Sequence, residues 1–375
     1  MAGIYLHIPF CKKACVYCDF HFSTLARDRV KMPSILLKEA SLRRDYLQRK
    51  QLDTIYFGGG TPSVLGPKIL QEILDGLKAH FQWDVSAEIT IEANPDDLNE
   101  DFFKALRDTE INRLSIGIQS FNDADLALMN RAHNARESRL CLELAHKYGF
   151  ANCTIDLIYA LPNQSEKDWQ LQMAELLRYE LPHFSAYALT VEPKTVLAHW
   201  VKQGKLKIED EVAARHFELL QEFAKEEGFE HYELSNFALA GHRSKHNHAY
   251  WEGSSYLGLG PSAHSYNGHA RHWNISNNHL YMQKIEAGDL ALEEELLTEE
   301  ARYNEWLMVS LRLEQGLDIS GLNPFSKDIQ NSFWTSFERQ RKIGNLVQEG
   351  NRVYIPASKR FFSDGIAAEL FHIND

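Results

Sequence analysis

The chain has 375 residues, with 40 Lys and Arg against 52 Asp and Glu, a formal net charge of −12 and a hydrophobic content of 44%. That length holds one large domain plus a smaller one, or two to three modest ones, and the apolar fraction supports a substantial core. The acidic balance argues against general nucleic-acid binding, which needs a basic face, but leaves room for a local basic pocket.

Met1 runs directly into Tyr5-Leu6-His7-Ile8-Pro9-Phe10, with no basic leader, and no apolar run approaches membrane-spanning length. A cytoplasmic protein with reduced thiols is expected. The first predicted strand, 4–9, is followed by Cys11-Lys12-Lys13-Ala14-Cys15-Val16-Tyr17-Cys18, which gathers three of the five cysteines in a C-x3-C-x2-C loop. Three thiolates can hold three corners of a cubane iron–sulfur cluster and leave the fourth iron open for chemistry. A zinc site would need a fourth ligand from His21 or Asp19, and a disulfide would leave one thiol over. Cys141 and Cys153 sit in apolar contexts and read as buried small hydrophobes.

Further strands are predicted over 54–57, 88–92, 113–118, 153–158 and 185–189. Helix-period segments over 34–51, 67–81, 100–109, 138–148 and 166–178 lie between them. Strand–helix alternation repeated in this way calls for a parallel sheet curled into a partial (β/α)6 barrel, short of a closed eight-unit one. Polar residues follow the strands, at the face where such sheets carry their sites. Gly58-Gly59-Gly60-Thr61 follows strand two; without Cβ atoms, that backbone lets a ligand approach closely. Glu92 ends strand three, Gln119 ends strand four and Asp156 lies in strand five. Each carboxylate suits an ammonium or a ribose hydroxyl, and each equally suits a cap. Arg131 could pair a carboxylate bidentately or be an ordinary solvated arginine.

A helix over 209–228 precedes an irregular stretch, 231–273, holding seven of the 17 histidines. In His246-Asn247-His248-Ala249-Tyr250-Trp251 an imidazole could ligate heme iron with aromatics against the macrocycle. A structural histidine, or zinc on His242, His246 and His248, are the competing readings. Beyond 297, helices over 301–313 and 326–343 and a hairpin turning at Gly350-Asn351 predict a winged-helix-like α+β module.

The series YLHIPFCKKACVYCDF, YFGGGTPS, IEANPDDL, NRLSIGIQSFN, IDLIYALPNQS, YALTVEP and HNHAYW resembles the radical SAM superfamily. Within it the chain is similar to the branch of oxygen-independent coproporphyrinogen III oxidases and HemW heme chaperones. The resemblance implies a radical SAM core over 1–230, a His- and aromatic-rich connecting region over 231–295 and a C-terminal domain over 296–375. It implies a [4Fe-4S] cluster on Cys11, Cys15 and Cys18, whose open iron takes S-adenosylmethionine (SAM). Tyr5, Tyr17, Gly59, Gly60, Thr61, Glu92, Gln119, Arg131, Asp156 and Ala188 then match the SAM contacts of the branch. In the family, one electron from the reduced cluster cleaves SAM to methionine and a 5′-deoxyadenosyl radical.

Two departures favour the chaperone group. The oxidases carry a further cysteine two residues after the third, where this chain has Phe20, and only ten residues precede Cys11 where the oxidases have an N-terminal extension. The motif His246-Asn247-x-x-Tyr250-Trp251 matches that group's heme-associated motif and makes His246 the implied heme ligand. Heme, an acceptor hemoprotein and a reductant for the cluster are the implied partners. Oxidative decarboxylation of coproporphyrinogen III to protoporphyrinogen IX is the alternative function.

Overall fold

The computed structural model describes residues 1–290 and 292–373. In chain order the first half holds β1 (Ala2–Ile8), α1 (Met32–Leu42), β2 (Thr54–Gly59), α2 (Pro67–Leu77), β3 (Glu88–Ala93), α3 (Glu100–Leu106) and β4 (Arg113–Gln119). It continues through α4 (Asp123–Leu128), α5 (Ala135–Lys147), β5 (Cys153–Tyr159), α6 (Glu166–Arg178), β6 (His183–Ala188), α7 (Val196–Lys202) and α8 (Asp210–Glu226). Strands β1 to β6 pair in sequence order and in parallel, as the alternation predicts. Parallel pairing needs crossovers, and the helices supply them, packing apolar faces on the sheet. Capping boxes at Asn134/Glu137 and Ser165/Asp168 set the starts of α5 and α6.

The sheet does not close into a barrel. On its free side β1 pairs with β9 rather than β6, so the sheet has 12 strands in the order β12-β11-β10-β9-β1-β2-β3-β4-β5-β6-β8-β7. The added elements are β7 (Glu230–His231), β8 (Asn236–Ala238), α9 (Lys245–Trp251), β9 (Ser255–Leu259), β10 (His264–Tyr266), β11 (Ala270–Asn274), α10 (Asn278–Ala287) and β12 (Leu292–Leu296). The stretch 231–273, expected to be irregular, therefore extends the sheet at both ends.

The reason lies in a buried ion pair on α1. Arg43, 4% exposed, bonds Glu39, the Gly258 carbonyl at 2.8 Å and Ser265 Oγ at 3.0 Å. Glu39 accepts from Gly260 N, Asn274 Nδ2 and Tyr281 OH. Helix α1 ends at Leu42, short of the predicted 51, with the Arg43 N–H bonded to the Glu39 carbonyl at 2.9 Å.

Beyond β12 come α11 (Glu299–Arg312), β13 (Leu317–Asp318), α12 (Lys327–Lys342), β14 (Val347–Glu349), β15 (Arg352–Tyr354) and α13 (Ser363–Ala368). The three strands form a separate sheet, β13-β15-β14, turning at Gly350. Tyr303, Leu307, Phe333, Phe337 and Val353 pack a second core there. Among the described residues no helix is long and apolar enough to cross a membrane.

Candidate functional site

The cysteine loop leaves β1 through Pro9 and Phe10 and is held from several sides. Gly60 N donates to the Ile8 carbonyl at 2.9 Å and Cys11 N to the Ser23 carbonyl at 3.0 Å. Val16 N donates to the Met129 carbonyl, and Asn130 Nδ2 to the Ala14 carbonyl at 2.8 Å. Lys12 pairs with Asp96 at 2.7 Å and with Asp97. The three thiols are free and partly exposed. Thr61 Oγ1 donates to Cys11 Sγ at 3.5 Å and Arg131 Nη1 to Cys15 Sγ at 3.3 Å. Cys141 and Cys153 are buried in the core, as expected.

All three cysteines line one cavity of about 540 Å3 at the carboxyl ends of the strands. Its walls include Tyr17, Gly59, Gly60, Thr61, Glu92, Gln119, Arg131, Asp156 and Ala188. Two half-buried carboxylates, Glu92 and Asp156, form its floor. Burial, with Asp156 nearby, pushes Glu92 up to about 7, against the bonds it accepts from Tyr56 OH at 2.9 Å and Gly59 N at 3.1 Å. Burial lifts Asp156 to about 6, opposed by the nearby Ser185 hydroxyl and by the Arg113 and Arg131 charges. A cationic ligand would relieve both.

Gln119 has φ +65°, beyond a register irregularity in the β4–β5 pairing. Such backbone is costly for a non-glycine residue and clusters at binding sites. Arg131 Nη2 donates to Asn94 Oδ1 at 2.6 Å and to the Gly117 carbonyl at 2.7 Å. A Cβ on Gly117 would lie 2.9 Å from Gln119 Nε2 and 3.1 Å from Arg131 Nη2. The glycines after β2 serve packing as much as any ligand. A Cβ on Gly59 would meet the His7 ring at 2.7 Å, and one on Gly60 the Phe10 carbonyl at 2.8 Å.

Two of the residues named from sequence do not line the cavity. Tyr5 lies below it, its OH 3.2 Å from His7 Nδ1 and its ring stacked on Tyr56. His246 is 2% exposed in α9, with Nδ1 2.8 Å from Thr54 Oγ1 and Nε2 2.8 Å from Tyr250 OH. Burial lowers it to about 3, so the imidazole is neutral. Among the described residues no three His, Cys, Asp or Glu side chains converge on one metal ion, so the His242, His246 and His248 zinc arrangement is not formed. Cluster thiolates each bind a different iron and need no such convergence.

Sequence reading passed over Asn94, which bridges Arg131 and Thr61 Oγ1, and Tyr56, which holds Glu92. Asn94 stood beside Glu92 in IEANPDDL. Tyr56 shares strand parity with Gly58, the only signal that it points inward.

Three free thiols from one braced loop, facing a cavity with two carboxylates raised by burial, fit a cluster and a cationic nucleotide-like ligand in donor chemistry. Residues 5–174 match the Radical SAM superfamily. The heme chaperone HemW of Lactococcus lactis subsp. lactis is 35% identical over 338 residues, 89% of this chain and 86% of its own length. HemW of Mycobacterium tuberculosis is 33% identical over 374 residues, 98% of this chain and 94% of its own. Coproporphyrinogen III oxidase (HemN) from Escherichia coli superposes with a TM-score of 0.84 over 99% of this chain and 90% of that one. At 23% identity it shares the fold. The chain belongs to the HemW heme chaperone family, within the radical SAM superfamily.

Proposed function

We propose that this protein binds heme and passes it to an acceptor hemoprotein, with a SAM-coordinated [4Fe-4S] cluster on Cys11, Cys15 and Cys18. The observation that carries the reading is similarity, at 33% identity, to a HemW heme chaperone across 98% of the chain, α9 and the C-terminal module included. Phe20, 69% exposed on the cavity wall, stands where the oxidase pattern has a cysteine.

In this reading Tyr17, Gly59, Gly60, Thr61, Glu92, Gln119, Arg131, Asp156 and Ala188 surround SAM, with Tyr5 supporting them from below. Glu92 takes the ammonium and Asp156 a ribose hydroxyl. A cluster in the loop would offer its open iron to SAM and, once reduced by an electron donor, a single electron to the sulfonium. His246 is the residue that would ligate the heme iron. Its neutral imidazole suits metal binding, and ligation requires the bond to Tyr250 to open.

Heme titration tests the ligand. His246→Ala should lower affinity and change the absorption spectrum, and an unchanged titration removes the assignment. Cluster-loaded protein given SAM, reductant and coproporphyrinogen III under anaerobic conditions should yield no protoporphyrinogen. Its formation with matching 5′-deoxyadenosine would make the protein an oxidase.

A further inference from the structure

The heme-motif helix and the floor of the cavity share one residue. Tyr56, 7% exposed, stacks on His246 with ring centroids 4.9 Å apart and planes 22° apart. Its hydroxyl donates to Glu92 Oε1 at 2.9 Å. Gly58, next on the same face of β2, leaves the space for this arrangement. A Cβ there would lie 3.0 Å from both Glu92 Oε1 and the Tyr56 ring. Below, Glu88 reaches α9 from β3, accepting from Lys245 N at 3.1 Å and His246 N at 3.0 Å. Glu88 and Glu92 are four apart on one strand and so face the same side. The helix is thereby tied to β3 at one end directly and at the other through Tyr56.

We propose that Tyr56 is a positioning residue that holds Glu92 for the SAM ammonium and couples it to His246, so that displacing the imidazole weakens the SAM site. The proposal rests on the SAM reading of the cavity. Loss of the imidazole leaves one face of the Tyr56 ring without its stacking partner and free to tilt, and because ring and hydroxyl are one rigid body the bond to Glu92 shifts with it. Linkage makes the effect mutual, so bound SAM resists release of His246.

The test is SAM affinity of the anaerobically cluster-loaded chain, measured by calorimetry between pH 6 and 8. The charged and titratable groups facing Glu92 are Asp156 from β5, Tyr56 from β2, Tyr5 from β1, Tyr187 from β6, Tyr250 from α9 and Cys11 from the cluster loop. Tyr56→Phe keeps the stack and removes a donor to the ionised carboxylate. SAM affinity at pH 7 should fall about tenfold, and the pH midpoint of binding should rise by about one unit. His246→Ala should move the midpoint the same way, and the double variant no further than Tyr56→Phe alone. An unmoved midpoint in Tyr56→Phe, or additive losses in the double variant, would overturn the coupling. If His246→Ala does not fold, His246→Asn, which keeps a hydrogen-bonding group for Thr54 and lacks the ring, carries the same comparison. Glu92→Gln separates the two levels. Unchanged SAM affinity there overturns the SAM reading and the coupling together, whereas a loss there without one in Tyr56→Phe overturns only the coupling.

Discussion

Glu92 and Asp156 share the cavity floor, both raised above the usual carboxylate range by burial. Glu92 is pushed to about 7 from an ordinary 4.5, so its contribution to folding is fully present below 4.5 and is lost as pH rises through about 7. The ligand-free chain should lose stability across that window, and SAM should restore it. In the proposed site SAM binding has the opposite slope, because an ammonium held by Glu92 needs the ionised carboxylate: affinity should fall as pH drops below about 7. Calorimetry from pH 6 to 8 checks this, and a flat profile contradicts it. Glu92→Gln should weaken SAM by roughly tenfold or more, since a charge-assisted bond contributes about 1.5–3 kcal/mol. Gly117→Ala should abolish SAM binding while circular dichroism stays native, because its methyl would displace Gln119 and Arg131. Glu92 and Asp156 were legible in the sequence because each belongs to a strand that ends beside a recognisable motif. Tyr56 and Asn94 were not, because their roles depend on which side chain stands opposite.

At the scale of elements, α9 depends on a carboxylate from another strand. Glu88 accepts from its first backbone donors and lies 3.8 Å from Arg113 Nε, while the three Arg113 guanidinium nitrogens have no hydrogen-bond partner. Glu88→Ala removes the nearest counter-charge from a guanidinium only 1% exposed. Breaking such a pair costs about 3–5 kcal/mol, which a lowered urea midpoint would register. Heme titration of the same variant should show α9 disturbed. An unchanged midpoint would mean that Arg113 is satisfied elsewhere. Helix α6 matches its expected bounds because a capping box and amphipathic period fix it locally. Helix α1 stops at Leu42 instead of the expected 51, and Arg43 just beyond it bonds partners more than 200 positions away, which a linear reading does not contain.

Across the whole molecule, Arg312 joins the C-terminal module to the sheet. It sits 3.6 Å from Glu233, 3.1 Å from Asp364 and 4.8 Å from the Trp251 ring centre. Glu233 is 1% exposed and its Oε2 has no hydrogen bond. Arg312→Ala should therefore destabilise the protein by about 1–3 kcal/mol and speed hydrogen exchange in α11 and α9 together. Exchange confined to α11 would show that Trp251 does not transmit the contact. Trp251 thus meets the C-terminal module, whereas His246, five positions earlier on the same helix, meets β2 through Thr54 and Tyr56.

The sequence by itself determined the parallel order of β1 to β6, the cysteine loop and the strand-end residues Gly59, Gly60, Thr61, Glu92 and Gln119 of the cavity wall. Those features rest on local periodicity and on residues adjacent to strand ends, which a linear reading preserves. Only the tertiary structure decided that 231–273 extends the sheet, that His246 is enclosed between Thr54 and Tyr250, and that Tyr56 links it to Glu92. Each depends on partners distant in the chain: Thr54 and His246 are 192 positions apart, and Glu39 and Asn274 are 235. Buried polar groups must find partners somewhere, and which ones they find is set by how the elements pack.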